Sequence, residues 1–128
     1  MSKETCLFCD RNNPEKHTII SENDLFYGRW DNFPVSDGHA EIVPKRHVES
    51  LFELTDNELV QLFDLLKKVK DIIQDKYSPD AFNIGINEGE EAGRTIHHLH
   101  VHIIPRYKGD VENPRGGIRH VISGKGNY

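Results

Sequence analysis

The sequence contains no long apolar run. Nothing in its 128 residues approaches the roughly 20 consecutive apolar residues that cross a bilayer, so no membrane span is expected. Its start, Met1-Ser2-Lys3-Glu4-Thr5, lacks the apolar core of a secretory leader, and a cytoplasmic chain is expected. Cysteine is scarce: Cys6 and Cys9 are the two present, spaced C-x-x-C. In a reducing compartment that spacing suits a metal site or a redox couple better than a structural bridge. Redox pairs usually open a helix after a strand. These two lead instead into Asn12-Asn13-Pro14, an irregular segment, which favours metal. Positive charge is in deficit, with 16 basic against 21 acidic residues and a net charge of −5. That balance argues against a nucleic-acid coat. Internal repeats and low-complexity stretches are also missing.

What is present fits one compact domain over residues 1–128. The charge is uneven: Arg94, Arg106, Lys108, Arg115, Arg119 and Lys125 face two acidic residues after position 93, Asp110 and Glu112. Such a basic tail, residues 111–128 with its approach, could lie beside a phosphate. Strands are expected over 18–20, 25–30, 39–43, 81–87 and 96–104, with turns at Asn23-Asp24 and Ser36-Asp37-Gly38. Thr55-Asp56-Asn57-Glu58 is a capping box. It opens a helix over 56–77 whose apolar stripe is Leu59, Leu62, Phe63, Leu66, Val69, Ile73 and Tyr77. A short helix is expected over 47–53. Residues 81–104 form a loose hairpin, so the fold class is α+β, with a helix on an antiparallel sheet.

The informative stretch is Ile96-His97-His98-Leu99-His100-Val101-His102-Ile103-Ile104. Strand alternation puts His98, His100 and His102 on one face and Leu99, Val101 and Ile103 on the other. Two chemistries use such a row. Neutral imidazoles ligate metals. An imidazole can also attack phosphorus and leave again, while a neighbour steadies the charge or protonates the leaving group. The preceding turn, Gly89 to Thr95, is rich in glycine and lets a phosphate approach backbone N–H groups. His17 and His120 belong to no constellation and are expected on the surface. His97 has the opposite parity and no catalytic role.

His98-Leu99-His100-Val101-His102-Ile103-Ile104 resembles the signature of the histidine triad (HIT) family of nucleotide hydrolases and transferases. Gly38-His39 with Ile42-Val43-Pro44-Lys45-Arg46-His47 resembles its upstream segment. Asn87-Glu88-Gly89 and Gly93-Arg94-Thr95-Ile96 resemble its nucleotide-binding turn, and Cys6-Leu7-Phe8-Cys9 the N-terminus of many bacterial members. Pro105-Arg106-Tyr107-Lys108-Gly109-Asp110 resembles the diadenosine polyphosphate hydrolase branch. The resemblance covers residues 6–110. It implies an antiparallel sheet of about five strands with one long and one short helix, and a homodimer. It assigns His100 as the nucleophile, His102 to the phosphate and leaving group, and His39 to their support. Asp31 would hold the ribose, and Asn87, Gly93 and Thr95 the phosphate and sugar. A structural Zn2+ would sit on Cys6, Cys9, His47 and His98. Arg94 stands where the family usually has Gln; its donor fork suits phosphate. The implied activity is hydrolysis of dinucleoside polyphosphates of the diadenosine tetraphosphate type, with nucleoside phosphoramidate hydrolysis as the alternative. A phosphorylase fits less well, because that branch tends to replace the last triad histidine, and His102 is intact.

Overall fold

The computed structural model describes residues 5–126 and 128. Five strands form one sheet: β1 (Ile19–Glu22), β2 (Phe26–Trp30), β3 (Ala40–Pro44), β4 (Ala81–Gly85) and β5 (Val101–Arg106). Their spatial order is β1-β2-β3-β5-β4, and every neighbouring pair runs antiparallel. One helix, α1 (Asp56–Tyr77), joins β3 to β4 through the connection that begins at Lys45. Among the described residues no helix is long and apolar enough to cross a membrane.

The start of α1 follows from its sequence. The Thr55 side chain accepts from the Glu58 N–H, and the Glu58 carboxylate accepts from the Thr55 N–H, which completes the capping box. Glu58 also takes two bonds from Arg46, at 2.7 and 3.0 Å. That pairing holds its carboxyl down at about 2. It also fastens the loop after β3, which carries His47, to the helix N-terminus.

Strand parity divides the sheet into two faces. Phe26, Ala40, Ile42, Val101 and Ile103 pack with Leu62, Leu65, Val69 and Ile73 of α1 in the main core. Leu65 is buried, whereas Leu59 and Phe63, expected in the stripe, are 41% and 57% exposed. The helix meets the sheet along 62-65-69-73, so the Leu59–Phe63 ridge lies one step round toward solvent, where Lys67 covers the Phe63 ring. The opposite face carries Tyr27 and Val43, which pack against Cys6 and Phe8 of the N-terminal segment.

Several elements are shorter than expected, among them the strand over 81–87, which ends at Gly85. The helix over 47–53 is a single 3-10 turn, Leu51–Glu53. Nearby backbone groups bond elsewhere: Val48 O to Leu99 N at 2.7 Å and Leu51 N to the Glu88 carboxylate at 3.1 Å. The last strand begins at Val101 rather than 96. Before it, the His98 N–H folds back on Ile96 O at 2.9 Å and leaves the ladder.

Gly28 sets the distance between α1 and the sheet: a Cβ there would lie 2.8 Å from Val69 Cγ2. Gly28→Ala is therefore expected to lower the unfolding free energy by about 1–3 kcal/mol through overpacking. Urea titration would measure it, and an unchanged midpoint would show that the helix has room to spare.

Candidate active site

The second sheet face assembles its polar residues by register. Arg29 of β2 pairs with Glu41 of β3, and Glu41 with His102 of β5. His39 enters just before β3 and His100 just before β5, on the same side. A cleft of about 300 Å3 opens over this row, lined by His100, His102, Asp31, Asn87, Gly93 and Thr95 together with Leu7 and Phe8. Gly93 sits at φ 101°, a conformation that glycine alone adopts readily. It lets the loop turn back toward the histidines.

Hydrogen-bond partners fix the imidazole tautomers. His100 Nδ1 lies 2.8 Å from the His98 carbonyl oxygen. A carbonyl can only accept, so Nδ1 carries the proton and Nε2 keeps a free lone pair. His39 Nδ1 accepts from the Val35 N–H at 3.2 Å, so its proton is on Nε2. That nitrogen faces His102 Nδ1 at 2.9 Å and the Asp31 carboxylate at 3.6 Å. His102 therefore accepts through Nδ1 and carries its own proton on Nε2. The His100 and His102 rings are 5.0 Å apart between centroids. A neutral nucleophilic nitrogen and an N–H donor thus stand side by side in one cleft.

Burial keeps these rings neutral. Desolvation lowers the pKa of His39, His100 and His102 below the ordinary 6.5; Asp31 partly opposes this at all three, and Glu41 at His100. Burial pushes the Glu41 carboxyl up, against the pull of Arg29 and His100.

His98 departs from the shared face expected of the triad. With its backbone outside the ladder, its ring turns to the N-terminal segment. His98 Nε2 donates to Pro44 O at 2.8 Å, which leaves the Nδ1 lone pair facing Cys6 Sγ at 3.3 Å, Cys9 Sγ at 3.5 Å and His47 Nδ1 at 3.2 Å. Cys9 Sγ is also 3.2 Å from His47 Nδ1. Ligands on a tetrahedral metal with bonds of about 2.0–2.3 Å stand roughly 3.3–3.8 Å apart. The spacing, the two thiols and the outward hydrogen bond that orients His98 suit such an ion. Desolvation brings His98 down to about 4, which keeps it neutral.

Other expected residues lie elsewhere. The Arg94 guanidinium is engaged by Glu49, through its carbonyl at 3.1 Å and its carboxylate at 3.0 Å, and by His97 Nδ1 at 3.1 Å. It does not line the cleft. The tail cations also turn away: Arg106 forks onto Asp110 and bonds Asn83, while Arg115 and Arg119 cover the Tyr128 ring. His17 is not on the surface. It is buried, taking the Arg29 Nε–H at 3.0 Å and bonding Leu7 O at 2.9 Å. The spacing-two pair His39–Glu41 was the available clue to a carboxylate on this face. Arg29 and His17 offered none, because their meeting depends on strand register.

Known proteins share this fold. The HIT domain family model matches residues 12–109. The chain belongs to the HIT domain family. A Schizosaccharomyces pombe relative named bis(5'-nucleosyl)-tetraphosphatase [asymmetrical] is 47% identical over 77 residues, 60% of this HIT chain and 42% of that protein. A crystal structure of a HIT family protein from Bacillus subtilis superposes with a TM-score of 0.76 at 33% identity, covering 83% of this chain and 76% of its own. A zinc-bound histidine triad family protein from Mycobacterium smegmatis has a TM-score of 0.74 at 26% identity, covering 88% and 82%.

The depressed histidines set a pH dependence. The unfolded chain takes up protons near 6.5, where the folded chain refuses them. Stability contributed by burying neutral rings is complete above 6.5 and is lost as pH falls, for His98 down to about 4. The metal-free protein should thus unfold at lower urea at about pH 5 than at about pH 7.5; equal midpoints would contradict the burial of neutral imidazoles.

Proposed function

We propose that this chain hydrolyses dinucleoside polyphosphates of the diadenosine tetraphosphate type through a nucleotidyl intermediate on His100. The observation that carries the reading is the His100 Nδ1–H bond to His98 O, 2.8 Å long, which leaves Nε2 unprotonated beside the N–H of His102. The name of the fission yeast relative supports it.

In the first step the Nε2 lone pair forms a bond to the α-phosphorus, and the bond from phosphorus to the leaving phosphate oxygen breaks with its electron pair. His102 donates a hydrogen bond to that oxygen, and His39 holds His102 in the donating tautomer. In the second step water attacks the same phosphorus and releases a proton to solvent, the P–N bond returns its pair to His100, and a mononucleotide leaves. Asp31 would hold the ribose, and Asn87, Gly93 and Thr95 the phosphate and sugar; all of them line the cleft. Arg94 acts from behind by tying the loop it begins to Glu49. A second reading, hydrolysis of a nucleoside phosphoramidate, is favoured by the same N–H of His102, since an amine leaves only once protonated.

Cys6, Cys9, His47 and His98 would hold a structural Zn2+. Its chemistry there is to clamp the Leu7–Cys9 turn to the loop after β3 and to the entry of β5. Phe8, at the centre of that turn, packs on the His100 ring at 4.8 Å between centroids. Reduced thiols of this kind suit a cytoplasmic setting. The homodimer would form along β4, whose outer edge pairs with no other strand among the described residues and exposes Ile84. Residues 1–128 form a single unit in this reading, with 111–128 as its tail.

His100→Ala is expected to abolish turnover of diadenosine tetraphosphate and of an adenosine phosphoramidate. Quench of the wild type in alkaline denaturant, where the P–N bond survives, followed by peptide mass spectrometry should find the nucleotidyl group on His100. Wild-type rates on the two substrates decide the leaving group, and an adduct at any other residue would refute the assignment. Cys6→Ser should remove one equivalent of zinc by metal analysis and lower the melting temperature; full zinc in that variant would overturn the proposed ligand set.

A further inference from the structure

Beneath the cleft histidines lies a charged pair that the roles above leave unused. The side chains of Arg29 and Glu41 are 3% and 5% exposed. Arg29 commits all three nitrogens: Nε to His17 Nδ1 at 3.0 Å, Nη1 to Glu41 Oε1 at 2.5 Å and Nη2 to Lys16 O at 3.0 Å. His17 is held in turn by Leu7 O at 2.9 Å. The guanidinium is thereby fixed on one side of the carboxylate. On the other side, Glu41 Oε2 lies 4.0 Å from His102 Nδ1. A ligand atom from each of Glu41, His100 and His102 falls within 4.8 Å of the others. The pair is a buried dipole whose negative end points at the two imidazoles.

Fold stability does not account for such a pair. The desolvation of two charges cancels most of their attraction, and apolar residues of similar volume commonly serve as well or better. The chemistry does account for it. When His100 Nε2 bonds to phosphorus while Nδ1 keeps its proton, the ring acquires a positive charge. That ring is 9% exposed, and its hydrogen-bond partner is a neutral carbonyl. A cation in that setting is costly without a negative charge near it. Asp31, the other carboxylate of the site, is occupied by the Phe33 N–H and by His39.

We infer that Glu41, aimed by Arg29, is a positioning residue for the nucleophile that steadies the positive charge His100 acquires as its bond to phosphorus forms. The inference rests on the nucleotidyl-His100 reading. Glu41 neither gives nor takes a proton. The electron pair of His100 makes the new bond, and the pair of the broken bond leaves with the leaving group. A carboxylate near an anionic substrate does not favour its binding, so the benefit falls on the chemical step and not on the ground state.

Glu41→Gln keeps the length and the Oε1 contact with Arg29 but removes the charge. It is expected to lower kcat about 10- to 100-fold while leaving KM within about two-fold, and to reduce the adduct trapped on His100 by an alkaline denaturing quench. The double variant Arg29→Met with Glu41→Leu replaces the pair by apolar residues. The gain from removing two buried charges is offset by the donor that His17 Nδ1 loses, so the variant should melt near the wild-type temperature and retain the low kcat. That double variant decides the matter if Glu41→Gln fails to fold. Wild-type kcat in Glu41→Gln, a raised KM at unchanged kcat, or recovery of kcat in the double variant would each overturn the inference. An active wild type with an equally active Glu41→Gln removes Glu41 alone. A wild type that neither turns over either substrate nor forms the adduct removes the proposed function with it.

Discussion

The hydrogen bond from His100 Nδ1 to the His98 carbonyl is the contact on which the site depends. It selects one tautomer of the central imidazole, and so decides which nitrogen faces the cleft. It joins residues two apart in sequence, so its geometry depends on how the chain enters β5. That entry is held from outside by Leu99 N to Val48 O at 2.7 Å. The same residue, His98, offers its carbonyl to His100 and its ring to the Cys–His cluster. A change in the cluster therefore reaches His100 through one residue's backbone, without any shared ligand.

The polar face is tolerable energetically because each of its groups is answered. Among the described residues no buried side-chain nitrogen or oxygen lacks a hydrogen-bond partner. His39 accepts from Val35 and donates toward His102, and Arg29 spreads its donors over His17, Glu41 and a carbonyl. Leaving one of these unmatched would cost about 1–3 kcal/mol, which a domain of this size can bear only a few times. Desolvation lowers the titration of His39, His100 and His102, so neutral rings are the resting state.

Much of this was legible in the sequence where local rules govern. The capping box at Thr55–Glu58 set the start of α1 to the residue. Alternation in 98–104 separated Val101 and Ile103 from His102 correctly, and five antiparallel strands were expected and found. What escaped depended on distant partners. His98 leaves the expected face because its N–H bonds Ile96 and its ring finds Cys6 and His47, contacts 92 and 51 positions away. His17 is buried because β2 presents Arg29 to it, and Arg94 is absent from the cleft lining because Glu49 and His97 engage its guanidinium. Leu65 and Phe63 differ by two positions in α1, and which one faces the sheet depends on how the helix is rolled about its axis, which Gly28 and Val69 help to fix.

The break in the last strand separates two chemistries that the sequence runs together. Had 96–104 been one continuous strand, His98, His100 and His102 would have presented three imidazoles to one space. A metal bound there would have taken the Nε2 lone pair of His100. Starting the ladder at Val101 lets the chain turn His98 away while His100 and His102 stay 5.0 Å apart. Phe8 stands between the two sets, 5.8 Å from the His98 ring and 4.8 Å from the His100 ring, as an apolar wall held by the cysteines on either side of it. The thiols can thus fix the position of Phe8, the neighbour of His100, without competing for His100 itself.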